Sequence, residues 1–154
     1  METDELLRFL STSVSGTTAQ RIRMAKLLLC ALIVRGDLDS GQSLPGIREL
    51  AKGLSISQNS AALLVRELCA MGVLDSIQGQ GTFVDFSREV REEAMEHVGL
   101  HIIEQLRESA TLARYAGLSA PSFDFLVERA FKERRVASRK NDLEAARKAL
   151  LGAG

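Results

Sequence analysis

Between Val73 and Val84 the chain carries two short extended runs, Val73-Leu74-Asp75-Ser76-Ile77 and Thr82-Phe83-Val84, around Gln78-Gly79-Gln80-Gly81. Glycine supplies the positive φ angles of a tight connection, so the stretch predicts a β-hairpin. A lone hairpin is marginal in water and must close against something apolar. Everything upstream has helical periodicity, so the fold class is mainly α with one hairpin at the edge of a helical core.

The helices can be placed from spacing and punctuation. From Thr18 to Val34 the side chains Ile22, Ala25, Leu28/Leu29, Leu32 and Ile33 recur at helical spacing, and Gly36-Asp37 ends that helix. Pro45 is suited to open a second helix, since its missing N–H costs nothing there, and this helix runs through Ile47, Leu50 and Ala51 to a stop at Gly53. Ser57 is an N-cap for a third helix over 58–71, with Ala61, Leu64, Val65 and Leu68 facing inward and Gly72 as its stop. Three helices and a hairpin make a winged helix-turn-helix, with Leu54-Ser55-Ile56 as the turn. In that motif the helix after the turn protrudes enough to enter a major groove.

Downstream, Val90, Ala94, Val98, Ile102, Leu106, Ala110 and Ala113 form an apolar stripe on a long helix from Ser87 to about Ala116, which needs a partner surface. Gly117 ends it. Phe123, Leu126, Val127, Ala130 and Phe131 build another amphipathic helix, and Asn141-Asp142-Leu143-Glu144 resembles a capping box opening a last helix that ends at Gly152. The expected organisation is an extension over 1–17, a winged helix-turn-helix domain over 18–84, and a helical dimerisation region with a basic tail over 85–154. Within the extension, residues 2–10 predict a short helix, followed by a polar breaker.

Composition narrows the function. The 20 basic and 20 acidic residues cancel, but they are laid out in blocks. Residues 85–128 carry nine acids and four bases, whereas 129–154 carry eight bases and three acids. Such blocks read as faces lying against each other or against a symmetry mate, with a nucleic-acid contact by the basic tail as the alternative. The longest apolar run, Leu27 to Val34, is eight residues against the roughly 20 needed to cross a bilayer. The acidic start Met1-Glu2-Thr3-Asp4-Glu5 is unlike a signal peptide. With only Cys30 and Cys69, both among apolar residues, a disulfide scaffold is excluded and a reducing cytoplasmic setting is expected. Catalytic side chains are scarce: two His, one Tyr and no Trp. No enzyme activity and no cofactor are expected. His97 and His101 are spaced for one helix face near Glu93 and Glu104, but solvated histidines beside acids are commoner than a metal site, and no metal is expected. Phe123, Phe125 and Phe131 read as dimer core in preference to an effector pocket.

Three blocks carry a resemblance. They are Leu44-Pro45-Gly46-Ile47-Arg48-Glu49-Leu50-Ala51, then Leu54-Ser55-Ile56-Ser57-Gln58-Asn59-Ser60, and Gln78-Gly79-Gln80-Gly81-Thr82-Phe83-Val84. In order and spacing they are similar to the GntR family of bacterial transcription factors. The short helical region that follows resembles the YtrA-like subfamily, in which a small helical appendage serves dimerisation. The resemblance implies a cytoplasmic DNA-binding regulator, most simply a repressor, binding double-stranded DNA at an inverted repeat as a homodimer. Arg48, Ser57, Gln58, Asn59, Ser60 and the wing residues Gln78, Gly79, Gln80 and Gly81 would meet the DNA. Val90, Ala94, Val98, Ile102, Leu106, Phe123 and Leu126 would form the dimer contact. Where the family carries arginine, this chain has Gln58, Ala62 and Gln80, and where its first block carries serine it has Gly46. Gln58 and Asn59 retain the amide chemistry for bidentate reading of adenine. The loss of cations motivates the alternative, a winged-helix module that binds a protein partner. A small effector, if one exists, is not identified by these residues.

Overall fold

The computed structural model describes residues 1–132 and 139–151, with the side chains of residues 139–142 left out. It divides into two compact units, Met1–Leu100 and a second beginning at His101. No described helix is long and apolar enough to cross a membrane.

The first unit is built on α1 (Thr3–Ser13), α2 (Thr18–Arg35), α3 (Ile47–Leu54), α4 (Gln58–Ala70) and an antiparallel hairpin of β1 (Leu74–Ile77) and β2 (Gly81–Val84). Each helix is bounded by local chemistry. Thr17 and Gln20 form a reciprocal capping box at the start of α2, Thr17 N–H donating to Gln20 Oε1 at 2.8 Å and Gln20 N–H to Thr17 Oγ1 at 3.3 Å. At α3 only half of such a box exists: Gly46 N–H donates to the Glu49 carboxylate at 3.0 Å, and Gly46 has no side chain to return the bond. Helix α4 begins at Gln58 with Ser57 as N-cap, as the sequence predicts.

Helices α2, α3 and α4 end alike. In each, a residue just past the helix end bonds back three residues and the next bonds back five: Gly36 and Asp37 after α2, Ser55 and Ile56 after α3, and, one place later, Gly72 and Val73 after α4, with Asp37 N–H to Leu32 O at 2.9 Å and Val73 N–H to Leu68 O at 3.0 Å. Gly36 and Gly72 take the left-handed conformation this requires, but at the end of α3 that place falls to Ser55, with φ 54°. The predicted stop at Gly53 is therefore corrected: Gly53 lies inside α3, which runs one residue further to Leu54. Its smallness serves packing instead. A Cβ there would stand 3.1 Å from Leu7 Cδ2 of α1, so glycine lets the two helices approach.

The core of this unit is one continuous apolar cluster. Leu6 and Leu10 of α1, Leu29 and Cys30 of α2, Leu50 and Leu54 of α3, Leu64 and Leu68 of α4, and Val73 and Val84 of the hairpin are all essentially inaccessible. Helix α1 is thus built into the winged core. So is the start of α5 (Val90–Tyr115), whose Val90 and Ala94 are buried in the same cluster. The hairpin pairs Leu74 with Val84 and Ile77 with Gly81, and Gly79 and Gly81 take positive φ around the connection. Gln42 and Leu44 extend the ladder on the far side of β2: Val84 N–H donates to Gln42 O at 2.9 Å and Leu44 N–H to Thr82 O at 2.8 Å.

The second unit contains the remainder of α5, α6 (Ala120–Lys132) and α7 (Arg139–Leu151). Helix α5 ends at Tyr115, and Gly117 just beyond it takes a positive φ as Leu118 N–H reaches Ala113 O at 2.9 Å. Helix α7 begins at Arg139, so the predicted capping box at Asn141 falls inside a helix; the expected end at Gly152 lies outside the described residues. Helix α6 has no fully buried residue, and among the described side chains of α7 only Ala145 and Ala149 are buried. Leu106, Ala113, Phe123, Leu126, Ala130 and Leu150 surround an apolar cavity of about 460 Å³ within this unit.

Candidate nucleic-acid interface

A helix buried on one side divides its residues by angle. At about 100° per residue, Ala61, Leu64, Val65 and Leu68 cover one side of α4, and all four are buried. Asn59, Ala62, Leu63, Arg66 and Ala70 fall within about 100° of arc on the opposite side. Of these, Asn59, Leu63, Arg66 and Ala70 are exposed and Ala62 is half-buried. Gln58, at the first turn, is exposed beside them.

The position of α4 is set by the turn before it. Arg21 of α2 donates from Nη1 to Leu54 O at 3.3 Å and from Nε to Gly16 O at 3.0 Å. A cation on the last carbonyls of α3 also matches the negative end of that helix. Lys26 of α2 bonds Glu67 of α4 at 2.8 Å, tying the two helices on their inner flank.

The sequence-predicted contact residues differ in how they are engaged. Arg48 is exposed on α3. Its neighbour in sequence, Glu49, is engaged elsewhere, accepting from Gly46 N–H. Ser57 spends its hydroxyl oxygen on the cap, accepting from Ser60 N–H at 3.1 Å, and donates its proton to Ser60 Oγ at 2.9 Å. Ser57 thus orders the helix start, and Ser60 keeps the hydroxyl proton of the pair for an outside acceptor. Gln78, Gly79, Gln80 and Gly81 are all exposed at the wing tip.

Three exposed side chains near these elements are absent from the sequence prediction. Arg66 and Leu63 lie on the α4 face, and Lys52 is exposed on α3. The signal was present: Asn59, Leu63 and Arg66 are out of phase with the apolar set, and so had to be on the outer face.

The predicted dimer stripe is divided by the structure. Val90 and Ala94 are consumed by the protomer's own winged core and are unavailable to a partner. Val98 packs partly against that core, whereas Ile102 and Leu106 are exposed and Phe123 and Leu126 half-buried around the cavity. Burial holds the Cys30 thiol neutral, its pKa pushed up to about 11, and burial also raises Cys69, helped by Asp75 and Asp85. Among the described residues no group of three or more His, Cys, Asp or Glu is placed to hold a metal ion, His97 and His101 included.

Residues 21–84 match the family model of bacterial regulatory proteins, gntR family. They form a gntR-family domain. Over 87 residues the chain is 30% identical to the HTH-type transcriptional repressor YtrA of Bacillus subtilis, an alignment covering 56% of this chain and 65% of YtrA. It is 28% identical over 72 residues to the HTH-type transcriptional regulator YhcF of the same organism, covering 47% of this chain and 60% of YhcF. The chain thus spans less than two thirds of either relative. A GntR family transcriptional regulator from Listeria monocytogenes superposes with a TM-score of 0.57 at 17% identity, covering 70% of this chain and 92% of the other. That likeness establishes the fold: a gntR-type winged domain followed by a small helical region.

Proposed function

We propose that this protein is a cytoplasmic transcriptional repressor that binds an inverted-repeat operator in double-stranded DNA as a homodimer. The observation that carries the reading is the exposed outer face of α4, begun by the Ser57 cap and bearing Asn59 and Arg66, on a gntR domain that also exposes Arg48 and Lys52 on α3. In a helix-turn-helix the start of the second helix meets base edges while neighbouring groups fix the register on phosphates. Gln58 and Asn59 supply amides for base edges, the Ser60 hydroxyl and the cations supply phosphate donors, and the wing brings bare amides and short neutral side chains to the backbone. The name of YtrA as a repressor supports the sign of regulation.

Dimerisation rests on the second unit. Leu112, Tyr115 and Phe131 are each more than two thirds exposed in the single chain. Apolar surface of this size on a protomer marks an interaction site. Two heads on one dimer read half-sites a helical turn or a multiple apart, so affinity per head need not be high.

Fluorescence anisotropy against the duplex upstream of the protein's own gene, with a scrambled duplex as control, tests the reading at two salt concentrations. Selective binding is expected, with log K falling by about 0.9 per phosphate contact against log salt. Equal, weak binding to both duplexes would defeat sequence-specific regulation. The neutral residues Gln58, Ala62 and Gln80 favour a second reading, a module whose winged face binds a protein. Failure to bind any duplex from a randomised pool would put that reading first.

A further inference from the structure

On the outer face of α4, a leucine stands where a groove-facing helix ordinarily carries polar groups. Leu63 is 42% exposed, one turn beyond Asn59 and one turn before Arg66, with Ala62 beside it. Its neighbours in sequence explain why it is not core. Ala61, Leu64 and Val65 already fill the inner side, and Leu63 falls about 100° from Leu64 and about 160° from Ala61 and Val65 around the axis. A leucine alone on a surface would mean nothing. This one lies within two turns of the capped start of the helix, between a carboxamide and a guanidinium suited to base edges and phosphates.

In the major groove one apolar group is displayed by the bases, the C5-methyl of thymine. A leucine pressed against any other base edge would desolvate polar atoms without replacing their hydrogen bonds. We infer that Leu63, with Ala62 beside it, makes this protein specific for thymine methyl groups in the central part of each half-site, next to the adenine that Asn59 reads. The inference rests on the DNA-binding reading above and gives it a chemical content. Readout shifts from the arginine–guanine pairs of a charged recognition helix to amide–adenine and methyl–methyl contacts. The target is correspondingly a half-site centred on A·T pairs.

The test uses the full chain and a duplex enriched by it from a randomised pool. The thymines of that duplex are then replaced by deoxyuridine, which removes the methyl and keeps the pairing. At about 0.8 kcal/mol per buried methyl, the wild-type protein is expected to bind about fourfold more weakly for each thymine that Leu63 touches. Leu63→Ala is expected to bind the two duplexes equally. The side chain is on the surface, and circular dichroism will show the variant folded. Wild-type protein that binds both duplexes equally, or a Leu63→Ala variant that keeps the wild-type discrimination, overturns the inference while leaving DNA binding intact. A pool that yields no enriched sequence overturns the DNA-binding reading and this inference with it, and assigns the exposed leucine to a protein partner.

Discussion

The two units of this chain bury their apolar residues to opposite degrees. In the winged unit, α1 to α4, the hairpin and the first turns of α5 share one core with no polar side chain buried in it. In the second unit α6 buries nothing completely, a cavity of about 460 Å³ remains between side chains, and Phe131 is 89% exposed. Both sequences are amphipathic, so the contrast is not one of composition. Five helices and a hairpin cover one another on several sides in the first unit, whereas α6 has no side chain fully covered by its neighbours. The first unit therefore closes its own core, and the second leaves apolar side chains exposed among the described residues.

Core truncation should separate the two most strongly. Leu64→Ala, at a fully inaccessible site, is expected to lower unfolding free energy by about 3 kcal/mol, as a shift in the urea midpoint. Leu126→Ala, half-exposed beside the cavity, is expected to cost less than half as much in protein too dilute to dimerise. Equal losses would erase the contrast.

The reverse asymmetry applies to assembly. Phe131→Glu should leave the urea midpoint of dilute protein unchanged yet weaken the dimer by about 2 kcal/mol, about thirtyfold in dissociation constant, by sedimentation equilibrium. A variant as dimeric as wild type would remove α6 from the interface, and a monomeric wild type at micromolar concentration would remove the dimer.

A smaller effect probes the dryness of the winged core through pH. The Cys30 thiol has its pKa raised by burial from 9.0 to about 11, so the folded state holds its proton after the unfolded chain has lost it. The contribution is intact below pH 9 and is lost as pH rises toward 11, at a slope of at most about 1.4 kcal/mol per pH unit. Cys30→Ala should flatten that part of the stability profile. An unchanged slope would show the thiol to be reachable by water.

The smallest expected effect lies at the helix-turn-helix turn. Ser55 adopts the left-handed conformation that glycine fills at the ends of α2 and α4. Ser55→Gly should therefore stabilise the winged unit by about 0.5 kcal/mol, the relief of backbone strain exceeding the added chain entropy. A loss of stability would mean that the serine side chain contributes more than its backbone costs.

The sequence by itself determined the elements whose cause is local. The Ser57 cap, the Thr18–Arg35 helix and the glycines of the hairpin are each set by a few neighbouring residues, and all appear in the structure. The identity of the winged fold followed too, because three helices and a hairpin in that order have few ways to pack. Where the reason was distant in sequence, local reading failed. Gly53 looked like a helix stop but answers to Leu7, 46 positions earlier. Val90 and Ala94 looked like the start of a dimer stripe, since periodicity shows that a face is apolar without showing what covers it. The outer face of α4, with Leu63 and Arg66 beside Asn59, was implicit in the phase of the buried set. It became definite only when the core claimed the other side of the helix, because exposure is a property of the packed molecule and not of the residue.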